Sequence, residues 1–291
     1  MRIASFPAAA LLAAACLAGC AASAPEPAEQ EPSAIAQALD AQPEAVQARY
    51  GQRNPGETLE LFGIEPGMTV VEALPGGGWY SKILLPVLGA DGHLVGANYD
   101  GEIWPLFGFL NDEQLAAMAE WTTTWPEQAR GWTDSDATIS AFTFGDLPAA
   151  EHGSADVVLF IRALHNMARF SDKAPFLDQS ITDAWNVLKP GGVVGIVQHA
   201  AREDMPDEWA NGSAGYLKKS FVIERMTAAG FELVQDSAIN ANDRDQPTAE
   251  DIVWRLPPSY RFAGKDPEKR AAMDAIGESN RMTLKFVKPV S

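Results

Sequence analysis

At 291 residues, with 46% hydrophobic and 21% charged residues, the chain carries enough apolar material for one large domain or two small ones. Its 39 Asp and Glu against 22 Lys and Arg leave a formal net charge of −17. A surface of that sign repels phosphates and argues against a nucleic-acid partner.

The chain opens on Arg2 and then an uncharged, Ala/Leu-rich run over residues 3–17. That run is too short to span a bilayer comfortably but suits the apolar region of a secretory signal. It ends in Leu17-Ala18-Gly19-Cys20, which resembles the lipobox of bacterial lipoproteins. A signal peptide at residues 1–19 and a lipidated Cys20 are therefore expected. The only two cysteines, Cys16 and Cys20, both fall here. The rest of the chain has no disulfide, cysteine nucleophile or thiolate metal site to offer. Residues 21–32 are rich in Pro, Ala and Glu and read as a solvated tether. This implies a domain held at the bacterial cell envelope, in the periplasm or at the surface. Ala21 brings no acidic residue after the cysteine, which favours the outer membrane.

A domain is expected over residues 33–291. Residues 33–62 have a helical pattern broken at Pro43 and at Asn54-Pro55-Gly56. Strands and helices then alternate: strand 68–74, helix 80–88 bent by Pro86, strand 93–98, helix 102–120 with a Trp-rich continuation, and strands 139–144 and 156–161. A helix over 173–188 places Leu177, Ile181, Trp185 and Leu188 on one face. Strand 193–197, a helix over 221–229 stopped by Gly230, and strands 231–235 and 282–287 complete the series. The polar, Pro-rich stretch 240–281 reads as an insertion over one end of the sheet. The alternation predicts a Rossmann-like, doubly wound α/β domain, with a mostly parallel seven-stranded sheet whose last strand is antiparallel.

The strongest local motif is Val70-Val71-Glu72-Ala73-Leu74-Pro75-Gly76-Gly77-Gly78-Trp79-Tyr80, a buried strand running through a glycine cluster into a helix. Glycines let a backbone pass close to a ligand, and an acid at the strand end can accept hydrogen bonds from it. Phe144-Gly145-Asp146-Leu147-Pro148, Ser154-Ala155-Asp156-Val157-Val158-Leu159 and Leu188-Lys189-Pro190-Gly191-Gly192 follow in order. Together they resemble the class I S-adenosylmethionine-dependent methyltransferases over residues 65–287. Pro75–Tyr80, Ile83-Leu84-Leu85-Pro86, Ala228-Ala229-Gly230-Phe231 and the ending Leu284-Lys285-Phe286-Val287-Lys288-Pro289 look like a little-characterised family of predicted bacterial methyltransferases.

The resemblance implies S-adenosylmethionine as cofactor. Pro75, Gly76, Gly77 and Gly78 would wrap its methionine end, and Glu72 would organise that loop or meet the ammonium. Asp146 would accept the adenine amine, with Leu147 beside the ring. Two residues depart from the family pattern. Leu74 stands where the glycines usually start, which implies a different loop path. Asn98 stands where a carboxylate usually clasps the ribose, leaving Asp100 as a second candidate for that contact.

Strands four and five end in Arg162-Ala163-Leu164-His165-Asn166 and Gln198-His199. Ligands of open α/β sheets bind beyond the carboxyl ends of strands, so His165 and His199 are candidate general bases. No compact metal-ligand spacing occurs. The leading expectation is methyl transfer to a small or envelope-associated acceptor, and the alternative is a non-catalytic methyltransferase-like binding module of the envelope. A nicotinamide-dependent oxidoreductase is disfavoured because Ser81 stands where a third glycine is required.

Overall fold

Local sequence sets the first elements of the computed structural model, which describes Met1 and residues 32–290. The expected signal segment after Met1, Cys20 and almost all of the tether lie outside the described residues. Ser33 caps α1 (Ala34–Asp40) by accepting from the amide of Ala36. After Pro43 come α2 (Glu44–Gln47) and α3 (Tyr50–Arg53). Asn54, in a left-handed conformation, ends α3, and Pro55 begins α4 (Pro55–Phe62), where its missing N–H costs nothing.

The sheet begins with β1 (Thr69–Ala73), followed by α5 (Ser81–Leu88) and β2 (His93–Asn98). The long helix expected next is three shorter ones: α6 (Ile103–Leu106), α7 (Asp112–Ala119) and α8 (Trp121–Arg130). The break has a local cause, since Asn111 and Gln114 form a reciprocal capping box that starts a new helix. The Trp-rich continuation is α8 itself. It lays stacked Trp121 and Trp125 against β2, where a Cβ on Gly96 would meet the Trp125 ring at 2.6 Å. Then follow β3 (Thr138–Thr143), β4 (Ala155–Ile161), α9 (Leu164–Arg169), α10 (Phe176–Val187), β5 (Leu188–Ala201) and the two-residue β6 (Leu217–Lys218). The chain closes with α11 (Lys219–Ala228), β7 (Glu232–Ser237), α12 (Pro267–Ile276) and β8 (Arg281–Val287).

Seven strands form the main path, in the order β3-β2-β1-β4-β5-β8-β7, and β6 is an eighth that pairs beside β5. Strands β1 to β5 are mutually parallel, and β8 runs antiparallel between β5 and β7. The expected Rossmann-like α/β class is therefore the observed one. Lys189-Pro190-Gly191-Gly192, expected as a turn, instead begins β5. Gly191 donates to the carbonyl of Lys288 and Gly192 accepts from its amide, so the segment is held as sheet and the β4–β5 register shifts beside it.

Both faces of the sheet are covered. Val71, Phe160, Ile196 and Leu284 face Leu177 and Ile181 of α10, while Val70, Leu94, Val157 and Leu159 face Leu59, Phe62 and Leu84 of α4 and α5. Burial on both sides explains why these strands read as apolar runs without alternation. Residues 240–281 lie between β7 and β8 and carry α12 and a single 3₁₀ turn, Val253–Arg255. The strand order reverses between β1 and β4, so a crevice is expected beyond their carboxyl ends.

Candidate functional site at the carboxyl edge of the sheet

Glu72 lies near the end of β1 and is buried at 4% exposure. The Ser81 hydroxyl, at the start of α5, donates to its Oε2 at 2.6 Å. Burial pushes the Glu72 carboxyl up to about 7, with the Ser81 bond opposing. Just beyond, Leu74 has φ 55, in the left-handed region that glycine adopts most readily. The leucine thus keeps the conformation a glycine would take, and its side chain turns into the crevice.

The three glycines that follow serve different ends. Gly76 and Gly77 are exposed, and a Cβ on Gly77 would meet nothing within 4 Å. Their backbone is bare to any ligand. Gly78 is buried at φ +75, and a Cβ there would lie 2.2 Å from the Trp132 ring. Its missing side chain makes room for tryptophan, not for a ligand. Gly78→Ala is expected to cost at least about 2 kcal/mol from the clash and the left-handed backbone together. An unchanged denaturant midpoint would refute that packing.

At the end of β2, Asn98 is 2% exposed. Its Oδ1 accepts from the Tyr99 amide at 2.9 Å, while its Nδ2 is buried with no partner among the described residues. Asp100 follows, accepting from the Glu102 amide at 2.8 Å. Across from it, Asp146 stands exposed in the turn after β3, with Leu147 half-buried beside it. Asp183 of α10 anchors that turn by accepting from the Gly145 amide at 2.7 Å. Burial raises the Asp183 carboxyl above its ordinary value, and Asp100 and Asp146 push the same way.

The crevice itself holds a cavity of about 580 Å³, and Leu74, Tyr99, Ile161, Arg162, His165 and His199 line it from the ends of β1, β2, β4 and β5. Trp104 and Phe107 wall one side, and Trp254 and Arg261 reach over from the 240–281 stretch. A 640 Å³ hollow between α9 and α11 is larger but lies off the switch point.

The two histidine rings sit 5.5 Å apart, centroid to centroid. His199 Nδ1 meets the Ser279 hydroxyl at 2.6 Å, and His165 Nδ1 is buried without a partner among the described residues. Burial drives the His165 imidazole down to about 4, with Arg162 and Arg169 adding to it and Gln198 opposing. His199 is likewise held well below the ordinary value by burial first, then by His165 and Arg162. Both rings are neutral near pH 7.

Of the candidate residues, His165 and His199 line the cavity together, and Leu74 joins them. Glu72, Pro75, Gly76, Gly77, Gly78, Asn98, Asp100, Asp146 and Leu147 stand at or beyond the carboxyl ends of β1 to β3 but are not among its lining residues. Sequence reasoning missed the arginines and the aromatic wall. Arg162 carried a usable signal, since it directly follows β4 at a central strand end; Trp254 and Arg261 carried none, being far along the chain.

These features define a Rossmann-like α/β domain with a ligand-sized crevice at its topological switch point. No protein-family model matches the sequence, and no curated protein sequence matches it. Among solved structures, the [4+2]-cyclase SpnF matches with a TM-score of 0.50 at 18% identity, over 82% of this chain and 81% of that one. A SAM-dependent methyltransferase from Aquifex aeolicus matches with a TM-score of 0.47 at 13% identity, over 85% and 98% of the two chains. An arsenic(III) S-adenosylmethionine methyltransferase from Chlamydomonas reinhardtii matches with a TM-score of 0.45 at 16% identity, over 89% and 74%. At 18% identity the likeness to the cyclase is one of fold.

Proposed function

We propose that the chain is a S-adenosylmethionine-dependent methyltransferase acting on a small or envelope-associated acceptor. The observation that carries this reading is one arrangement at the sheet edge. A bare Gly76–Gly77 backbone leaves β1, Glu72 lies buried beneath it with Ser81 as its hydrogen-bond donor, and the Asn98 Nδ2 is buried without an acceptor among the described residues. That orphaned donor fits a ribose hydroxyl oxygen. Asn98 would therefore donate to the ribose, because its own acceptor is already used by the Tyr99 amide.

In this reading the Pro75–Gly77 backbone and Glu72 hold the methionine end, Asn98 and Asp100 the ribose, and Asp146 with Leu147 the adenine. Bound there, the cofactor would supply an electrophilic methyl group. Leu74, Tyr99 and Trp254 exclude water from the crevice and hold the acceptor in position, which is the larger part of such catalysis. His165 and His199 present neutral imidazoles that can take a proton from an acidic acceptor group. With His165 near 4 they are weak bases, so an acceptor that is already ionised suits them best.

Calorimetric titration with S-adenosylmethionine and S-adenosylhomocysteine is the test, and saturable binding is expected. Asp146→Ala should weaken it by about 1–3 kcal/mol if that acceptor is desolvated in the complex. Unchanged affinity in a folded variant would remove Asp146 from the site.

One observation favours a second reading, a non-catalytic methyltransferase-like binding module. The Leu74 side chain lines the crevice where a glycine would leave space. The fold does not fix the reaction, since SpnF, which shares it, is a [4+2]-cyclase. This reading predicts no saturable S-adenosylmethionine binding in the native chain. The same proposal keeps the chain at the envelope through Cys20, on the strength of the uncharged 3–17 run, the Leu17-Ala18-Gly19-Cys20 site and the tether. Acyl chains contribute about 0.8 kcal/mol per buried methylene. Mass spectrometry of the native N-terminus should find a lipidated Cys20, and an intact residue 1–19 segment would defeat the export claim.

A further inference from the structure

We propose that the crevice takes an oxyanion with a flat apolar body, its carboxylate or phosphate held by Arg162, and that this anion is the methyl acceptor. The second half rests on the methyltransferase reading; the anion subsite does not.

The first ground is a reversal of charge. The chain as a whole carries −17, yet Arg162, Arg169 and Arg261 line the crevice and no Asp or Glu does. The second is the contrast between Arg162 and the buried arginines elsewhere in the fold. Arg53, Arg255 and Arg281 each meet a carboxylate. The Arg162 guanidinium bonds no acceptor among the described residues, although Arg162 is only half-exposed and also lines a second, 120 Å³ cavity that adjoins the crevice through His199 and Trp254. Glu278, the carboxylate that acts on it, already receives hydrogen bonds from three other guanidiniums. A guanidinium is planar, always charged, and matches a carboxylate or phosphate with two parallel donors.

The third ground is how firmly the group is aimed. Arg162 sits at φ 59, and its amide donates to the Val197 carbonyl at 2.6 Å, which ties the β4 end to β5. A non-glycine residue held in that region costs about 1–3 kcal/mol and is found where function or packing demands it. Arg169 is braced too, with its guanidinium 4.8 Å from the Phe170 ring centre and 6.0 Å from that of Phe107.

The apolar body has its own wall. Tyr99, Trp104, Phe107 and Phe109 form a run of tilted rings with successive centroids 5.4, 5.7 and 5.4 Å apart, and Phe109 is 71% exposed at the rim. Neutral His165 and His199 border the arginines without adding charge, so the positive field in the crevice comes from guanidiniums alone.

The test is fluorescence titration of the full chain with 3-phenylpropionate, phenyl phosphate and the neutral 3-phenylpropanamide, read on tryptophan emission. At least one anion should bind ten-fold or more tightly than the amide and weaken with added salt; whichever binds better names the oxyanion. Arg162→Gln should erase that preference and Arg162→Lys should restore part of it. If Arg162→Gln does not fold, Arg261→Gln, at an exposed position, should reduce the preference several-fold. Equal binding of anion and amide would overturn the subsite. The same titration with saturating S-adenosylhomocysteine separates the two claims. Undiminished anion binding supports an acceptor role, and competition would assign Arg162 to the cofactor's own carboxylate and overturn that role. If the chain binds the anion but no S-adenosylhomocysteine, the methyltransferase reading fails and the anion subsite stands.

Discussion

Glu278→Gln is expected to destabilise the fold by about 3–5 kcal/mol, the range for removing one partner from a buried ionic cluster. Glu278 is 6% exposed and collects three guanidiniums. Arg53 Nε lies 3.1 and 3.2 Å from its two oxygens, Arg281 Nη1 lies 3.1 Å from Oε2, and Arg49 completes the set. Burial alone would raise the Glu278 carboxyl, but Arg53, Arg281 and Arg49 outweigh it and hold the group below its ordinary range. The amide keeps the shape and loses the charge, leaving Arg53 and Arg281, each 4% exposed, without a counterion. The cluster joins α3 to the start of β8, so its loss should also loosen the N-terminal helices. Denaturant unfolding followed by fluorescence would measure this, and a loss under about 1 kcal/mol would mean that the arginines find other acceptors.

The second large effect depends on pH. The Glu72 carboxyl sits at about 7 in the fold, against an ordinary 4.5. Below pH 4.5 it is protonated folded or unfolded, and its contribution to stability is intact. As pH rises towards 7 the unfolded chain gives up the proton while the folded chain keeps it, so stability falls by about 3 kcal/mol. His165 works in the opposite direction. Its folded value of about 4 lies below the ordinary 6.5, so its contribution is present above pH 6.5 and is lost as pH falls towards 4. The two windows overlap between pH 4.5 and 6.5, where the opposing slopes cancel, so the Glu72 effect is isolated by comparing wild type with a Glu72 variant. Glu72→Gln keeps a partner for the Ser81 hydroxyl and removes the ionisation. It should gain about 2–3 kcal/mol over wild type at pH 8 and nothing at pH 4. Unfolding midpoints across that range decide the matter, and parallel curves for the two proteins would show that Glu72 does not titrate as described.

The parallel strands were legible in the sequence because burial on both faces makes an apolar run, as in Ala155–Ile161, and because glycine, proline and acidic residues mark where each run stops. Strand ends are also where ligands bind, so Glu72, Asn98, His165 and His199 could be named in advance as residues of one sheet edge. The expected single helix after β2 failed for a local reason, the Asn111 capping box, which competes with helix continuation. The two-residue β6 had too short a pattern to read. What remained hidden depends on pairing and desolvation between distant segments. Arg53 and Glu278 are 225 positions apart, and nothing in either neighbourhood announces the other. Arg162 was visible as a residue, but whether its charge was matched by a carboxylate was not. The sequence by itself determined the alternation of strands and helices and hence the edge where a site forms, because those follow from local periodicity. Only the tertiary structure decided that Leu74 fills part of that edge and that the crevice is cationic in an acidic protein, because a cavity's charge is set by which side chains the fold leaves unpaired.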